Sequence, residues 1–172
     1  MENKVTSHIV KGAILGGIFI LFSIIIYVFN LYSIKWLSLV SYSFIFAGII
    51  YGNIVYANQN NNNEIFGNIF AHGFKTTSVL IVISIIFTIL FFNLLPEMID
   101  KTLDLQRLEL EKKPELTEEM IENFIAMQKK NFWSFTIAGN TIFTGIIGVI
   151  ASLIGAGIAK KNPVDPFAEP TA

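Results

Sequence analysis

The 172-residue sequence contains no cysteine and no excess of charge of either sign. The absence of thiols excludes disulfides, iron–sulfur clusters, thiolate zinc sites and c-type haem attachment. Because 12 Lys and Arg stand against 13 Asp and Glu, with a net charge of −1, no basic surface points to a nucleic-acid partner. A P-loop, a nucleophile elbow, a Gly-rich dinucleotide turn and a His-Glu-x-x-His helix are also missing. We therefore expect no cofactor and no bound metal.

Four apolar runs without any charge dominate the chain; they are 12–34, 36–57, 76–95 and 131–159. The hydrocarbon core of a bilayer is about 30 Å thick, and about 20 helical residues cross it. Apolar residues make up 53 % of the chain and charged residues only 15 %, which leaves room for one membrane bundle and little else. The sequence predicts an all-α integral membrane four-helix bundle, a single domain over 1–172 that is embedded in the lipid bilayer. We place its transmembrane helices at about 10–31, 36–57, 75–95 and 132–159.

One sizeable polar region, 96–131, separates the third and fourth apolar runs. Pro114 interrupts it, because proline disfavours helix at the preceding residue and lacks a backbone donor. Thr117 fits the N-cap of a second helix, and the apolar face of that helix would be Met120, Ile121, Phe124 and Ile125. We expect an extramembrane amphipathic helical hairpin between transmembrane helices 3 and 4.

Phenylalanines precede the third run at every fourth position, at Phe66, Phe70 and Phe74. This spacing predicts one apolar stripe on a helix. A short helix that lies in the membrane interface is the favoured interpretation, and a plain extension of the third transmembrane helix is the alternative. The asparagine-rich stretch before it, 58–63, is expected to be a solvated loop.

Small residues recur at helical spacing in the first, second and fourth runs. Gly12 and Gly16 lie four apart in the first, and Gly48 and Gly52 in the second. The fourth carries a longer stripe, which consists of Asn140, Thr144, Gly148, Ser152 and Ala156. Small residues at this spacing let helix backbones approach closely, and polar ones hydrogen-bond across the contact. We therefore place the fourth helix at the centre of the bundle, whereas the third, apolar all round, should face lipid.

Lysine and arginine divide between the two sides of the predicted bundle. The side of the termini has five of them, Lys4, Lys11, Lys75, Lys160 and Lys161. The hairpin side has seven, Lys35, Lys101, Arg107, Lys112, Lys113, Lys129 and Lys130. The raw tally favours a cytoplasmic hairpin, but the first helix usually dominates orientation and its basic residues precede it. We predict a protein of the bacterial inner membrane with both termini cytoplasmic.

Three features in order carry a resemblance. The third helix is preceded by Phe-Gly…Phe…Gly-Phe-Lys over 66–75. The charged segment 96–130 contains Leu-Thr-Glu-Glu-Met-Ile-Glu at 116–122, followed by Met-Gln-Lys-Lys. The fourth helix is followed by Lys-Lys-Asn-Pro…Asp-Pro-Phe. Over essentially its whole length the chain resembles the bacterial membrane-protein family catalogued as domain of unknown function 4199. The resemblance implies a four-helix inner-membrane protein without assigned activity, so no catalytic residues carry over. It also brings forward a lipid-linked-sugar glycosyltransferase as a candidate partner.

Ionisable residues at membrane depth usually mark transport or catalysis, and the four runs contain none. His8 and His72 flank the runs, and two histidines beside the lone carboxylate of Glu64 make a poor metal site. We therefore predict no enzymatic activity. The leading hypothesis is an accessory or scaffold subunit that acts through helix and hairpin contacts. The alternative is a small transporter or channel for a neutral or lipid-like solute, formed as a homo-oligomer around the fourth helix.

Overall fold

The computed structural model describes residues 5–162, apart from the side chains of Lys35 and Ser38, and this part of the chain is helical without strands. The helices are α1 (His8–Val28), α2 (Lys35–Gln59), α3 (Phe66–Leu94), α4 (Glu97–Leu110), α5 (Glu118–Lys130) and α6 (Phe132–Ile158). Of these, α1, α2, α3 and α6 are long and apolar enough to cross a membrane. The predicted fold class, an all-α four-helix membrane bundle with a helical hairpin, is confirmed.

Helices α3 and α6 form the centre of the bundle. α3 packs against α1, α2 and α6, while α6 packs against α3 and α2. The central position expected for the fourth transmembrane helix agrees with this arrangement, but the expectation that the third faces lipid is wrong. One side of α3 is buried and consists largely of small and polar residues, namely Ile69, His72, Gly73, Thr76, Thr77, Leu80 and Ser84. Hydrophobicity could not show this, because lipid is as apolar as leucine and helices in membranes associate through small and polar residues.

Two glycines of α1 set its contact with α3. A Cβ built on Gly12 would lie 2.6 Å from Val79 Cβ, and one on Gly16 would lie 2.7 Å from Ile83 Cγ2. Real Cβ atoms do not approach this closely, so only glycine permits this separation of the two backbones.

The two predicted glycines of α2, Gly48 and Gly52, lie at different distances from the side chains of α1. A Cβ on Gly48 would overlap the side chain of Leu15, whereas one on Gly52 would reach Lys11 Cδ at an ordinary 3.5 Å. Gly48 is therefore required by packing, and Gly52 tolerates a small side chain.

The segment before the third predicted span belongs to α3, which is one helix from Phe66 to Leu94. The separate interface helix is therefore wrong, and the extension of the transmembrane helix is what the structure contains. Phe66, Phe70 and Phe74 stack along the first turns of α3, with ring centroids 6.5 Å and 6.2 Å apart. No proline interrupts 66–94, so nothing stops the helix before Leu95 and Pro96.

Helices α4 and α5 form the hairpin. Thr117 is the N-cap of α5, and its side-chain oxygen accepts a hydrogen bond from Met120 N at 3.3 Å. Pro114 lies in the turn between the two helices, as expected. Acidic residues occupy the first turn of α5 and lysines its last turn, which suits the helix dipole.

The start of α1, the α2–α3 loop and the end of α6 meet at one end of the bundle. Thr6 N donates to Gln59 Oε1 at 2.9 Å, and Asn162 N donates to Asn62 O at 2.8 Å. Asn61 and Asn62 have φ values of 55° and 58°, a left-handed conformation that asparagine tolerates better than most residues. The asparagine stretch is therefore an ordered turn that holds the end of α6.

Candidate functional site

Ionisable and aromatic side chains of three helices meet at this same end, in a cluster of His8, Lys11, Tyr56 and His72, called here the terminal cluster. The His72 ring stacks on Tyr56 with centroids 4.0 Å apart and meets the edge of His8 at 6.2 Å. Lys11 Nζ donates to Gly52 O at 2.8 Å and lies 5.7 Å from the centroid of Tyr56. Only 7 % of His72 is exposed.

The sequence leaves His8, Lys11 and His72 outside the charge-free runs, because the first run starts after Lys11 and the third starts after Lys75. In the structure α1 begins at His8 and α3 at Phe66, so His8, Lys11 and His72 lie inside helices long enough to span a membrane. Helical spacing is the signal that could have predicted that His8 and His72 lie on the packed faces of their helices. His8 lies four residues before Gly12, and His72 lies four before Thr76, so both continue the faces along which α1 and α3 pack.

A buried polar junction joins α2, α3 and α6 next to the terminal cluster. Asn53 is fully buried, and its Nδ2 donates to Ser152 O at 3.2 Å. A Cβ built on Gly73 would lie 2.6 Å from both Asn53 Nδ2 and Ser152 Oγ, so this glycine admits the two polar side chains. One turn further along α6, Ala156 is fully buried as well. The junction is the interhelical bonding that membrane asparagines commonly adopt.

The other half of the α6 stripe faces α3. Asn140 Nδ2 donates to Ser84 Oγ at 2.9 Å, and Thr144 Oγ1 donates to Asn140 Oδ1 at 3.1 Å. Gly148 backs directly onto Thr77. The structure therefore brings all five stripe residues to contacts within the chain, and none of them is directed at lipid.

The predicted hairpin face is divided between two surroundings. Ile121 is buried and Ile125 partly buried, whereas 53 % of Met120 and 39 % of Phe124 are exposed. Met127, which the prediction did not include, is 44 % exposed and lies on the same face of α5. Met120, Phe124 and Met127 form an exposed apolar row, called here the hairpin stripe.

A groove of about 650 Å³ lies between the hairpin and the α1–α2 turn. Phe124 of the hairpin stripe lines it together with Leu105, Gln106 and Tyr32. The Lys101 ammonium lies 5.8 Å from the centroid of the Tyr32 ring, so the hairpin leans towards the turn at its end of the bundle.

The charges of the hairpin form ion pairs on its surface. Arg107 is hydrogen-bonded to Glu122 and Lys129 to Asp100, and both pairs join α4 to α5. These hydrogen bonds, first among the causes, raise the pKa of Arg107 and the pKa of Lys129. Within 5–162, no three His, Asp or Glu side chains gather as metal ligands would. The hairpin therefore offers an apolar row within a charged surface, which suits contact with another molecule.

Comparison with curated proteins and with solved structures found no match. A family described as "Protein of unknown function (DUF4199)" matches residues 11–161, a stretch that runs from the first turn of α1 past the end of α6. The resemblance drawn from the sequence is thereby confirmed. The match covers the hairpin, most of the bundle and all of the terminal cluster except His8, so the chain belongs to the DUF4199 family.

Proposed function

We propose that the protein is a non-enzymatic accessory or scaffold subunit that holds a partner through the α4–α5 hairpin. The hairpin stripe is the observation that supports this most directly. Met120, Phe124 and Met127 are exposed on a helix outside the four apolar spans. Apolar surface exposed to water is unfavourable, and contiguous patches of it commonly mark interaction sites. The missing catalytic motifs support the non-enzymatic part of the proposal.

The partner that fits this surface is a protein at the membrane with an apolar groove or ridge of its own. Methionine and phenylalanine are enriched in the cores of protein interfaces, with polar residues at the rim. Around the stripe, Asn123 is exposed and Gln128 is partly exposed, and the two supply such a rim. A glycosyltransferase that acts on lipid-linked sugars is the partner class to test first, on the strength of the family resemblance.

We propose further that the protein lies in the bacterial inner membrane with both termini cytoplasmic, which places the hairpin and its partner on the periplasmic side. The lysines that precede the first transmembrane helix support this orientation, because the first helix usually dominates insertion.

Photo-crosslinking tests the proposed contact. A photoreactive phenylalanine analogue at Phe124 should give a discrete adduct with one protein in intact cells, because the side chain is exposed on the stripe. The same analogue at Ala126, which is exposed on the opposite face of α5, serves as the control and should give none.

Co-purification in mild detergent gives a second readout. Replacing Met120, Phe124 and Met127 together by serine should abolish recovery of the crosslinked protein, whereas Glu119→Ser with Ala126→Ser, both exposed outside the stripe, should retain it. If the tagged protein is reproducibly recovered alone, or if both analogue positions behave alike, the accessory role is wrong.

The alternative of an oligomeric transporter or channel needs the α6 stripe at a subunit interface or in a pore. The structure places that stripe against Thr77, Ser84 and Asn53 of the same chain. The exposed face of α6 is apolar instead, with Ile142, Ile146 and Ile150. We therefore favour the accessory role; solute flux into liposomes above that of empty vesicles would favour the alternative.

A further inference from the structure

A cleft of about 350 Å³ opens between the start of α1 and the first turns of α3. Ser7 and His8 form one wall, and Asn68, His72 and Lys75 form the other. We call it the N-terminal cleft. It lies at the opposite end of α3 from the hairpin, so nothing about it depends on the proposed role of the hairpin.

The charges around the N-terminal cleft favour an anion. The first backbone N–H groups of α1 lack intrahelical partners and carry the positive end of the helix dipole; Ser7 Oγ satisfies one of them, Val10 N. His8 and Lys75 add cationic or hydrogen-donating side chains from α1 and α3. Lys11 is directed instead to Gly52 O on α2.

Among the described residues, the carboxylate near the cleft is that of Glu64 in the α2–α3 loop, and it is already engaged. Its Oε1 accepts from Tyr56 OH at 3.1 Å, and its Oε2 accepts from Asn68 Nδ2 at 2.7 Å. Glu64 therefore has a partner on each oxygen. Among the described residues, no carboxylate forms an ion pair with His8 or Lys75, and both face the cleft.

His72 provides an independent observation. It lines the cleft although only 7 % of it is exposed, and its Nε2 has no hydrogen-bond partner among the described residues. Leaving a buried polar nitrogen without a partner costs more free energy than a typical hydrogen bond contributes to stability. Because Nε2 itself is buried, a small turn of the His72 ring towards the cleft would let a ligand oxygen supply the partner that it lacks.

The surface of α3 beyond the cleft indicates the source of that oxygen. Val82 and Ile86 follow Lys75 on the same face of the helix, at seven and eleven residues further, and are 56 % and 54 % exposed. An apolar track thus leads from the cleft into the part of α3 that spans the membrane. A free phosphate ion makes no favourable contact with an apolar surface of this kind, whereas lipid acyl chains pack on it.

We propose that the N-terminal cleft binds the phosphate group of an anionic phospholipid, with Lys75 and His8 as its charged and hydrogen-bonding contacts and the acyl chains along Val82 and Ile86. Lys75 donates charge-assisted hydrogen bonds to the phosphate oxygens. The N-terminus of α1 adds backbone donors, as helix N-termini do at phosphate sites. His72 completes the site from the cleft wall.

Native mass spectrometry of the full chain in detergent, titrated with phosphatidylglycerol, tests this proposal. The wild-type chain should retain one phosphatidylglycerol and retain phosphatidylcholine at least about tenfold less, because the zwitterionic headgroup carries a positive charge of its own. Lys75→Gln, which removes the charge, and His8→Phe, which keeps a ring and removes the donor, should each weaken phosphatidylglycerol binding about tenfold, as expected for loss of one charge-assisted hydrogen bond. Lys130→Gln, the same charge change at the end of α5, should leave binding unchanged.

Two further measurements keep the outcome decisive. The melting temperature without lipid shows whether each variant is folded; Lys75 is exposed, so its variant should melt as the wild type does. Inorganic phosphate should not compete at concentrations far above those of the lipid. Equal retention of the two phospholipids, equal losses in Lys75→Gln and Lys130→Gln, or full competition by inorganic phosphate would each overturn the proposal.

Discussion

Two glycines of α6 that look alike in the sequence have different surroundings. A Cβ on Gly148 would overlap Thr77, whereas one on Gly145 would meet no neighbouring helix within 4 Å. We expect Gly148→Ala to destabilise the bundle by about 1–3 kcal/mol, as overpacking does. Gly145→Ala should be neutral or stabilise by up to about 1 kcal/mol, because alanine is the better helix former. Melting in mild detergent measures both, and equal melting temperatures would remove Gly148 from a close contact.

Neighbouring side chains of α3 offer a second matched pair. Ile83 packs on Gly16 of α1, whereas 56 % of the adjacent Val82 is exposed. We expect Ile83→Ala to destabilise by about 1–2 kcal/mol, less than in a water-soluble core because lipid solvates the unfolded reference as well. Val82→Ala should change the melting temperature little. A result in which the two variants melt together would restore the view that this whole helix faces lipid.

At the scale of an element, the hairpin is joined by the Arg107–Glu122 and Lys129–Asp100 pairs. We expect Glu122→Lys to widen the distance between α4 and α5 slightly, with a weaker effect at high salt. The double swap Arg107→Glu with Glu122→Arg should restore the distance in part, because Arg107 also pairs with Glu111. Distances between spin labels at Leu108 and Ala126 report the separation, and the native chain has no thiol to compete for the label. Glu115→Lys, an exposed charge reversal in the turn, is the control. A swap that fails to restore the distance would show that the pairs do not hold the hairpin.

The pH dependence of the same pairs follows from the sign of the shift. The pKa of Lys129 is raised above its ordinary 10.5 by the hydrogen bond to Asp100. A basic group with a raised folded-state pKa contributes stability that is fully present below its ordinary pKa and lost as the pH rises through the folded value. The label distance should therefore be constant from neutral pH to about pH 10 and increase only in more alkaline solution. An increase between pH 7 and 9 would contradict this assignment.

Which elements the sequence could predict depends on whether their signal is local. Thr117 and Pro114 act on the backbone next to them, so the start of α5 and the turn before it follow from the sequence. The start of α3 does not, because Phe66, Phe70 and Phe74 have the same spacing in an interface helix and in an extended transmembrane one. Met127 was missed because its neighbours Gln128 and Lys129 end the apolar pattern, although it lies on the face of Phe124.

At the scale of the whole molecule, orientation is the prediction with the most direct test. With both termini cytoplasmic, a cysteine at Lys113 should react with an impermeant maleimide in intact spheroplasts, because the hairpin is then periplasmic. Cysteines at Asn63 in the α2–α3 loop and at Ala172, which lies outside the described residues, should react only after lysis. The opposite labelling pattern would mean that the count of lysine and arginine outweighs the first helix.

The number of helices long and apolar enough to cross a membrane follows from the sequence, but their arrangement does not. The lipid bilayer sets the same requirement of length and hydropathy for every membrane-spanning helix, so each one can be recognised from its own residues. The packing depends on where Gly73 admits Asn53 and Ser152, and where Gly12 admits Val79. These contacts join residues 20, 67 and 79 positions apart, and a single sequence carries no record of such pairs.

The continuity of α3 has a mechanical consequence. As one rod of 29 residues, it is about 43 Å long at 1.5 Å per residue. His72 lies near one end of the rod, and the chain enters the hairpin at the other. For a rod of this length, a tilt of about 10° at the cleft end displaces the far end by roughly 7 Å. α3 thus joins the two ends of the bundle as one rod, and any change in its tilt at His72 is geometrically magnified at the entry to the hairpin.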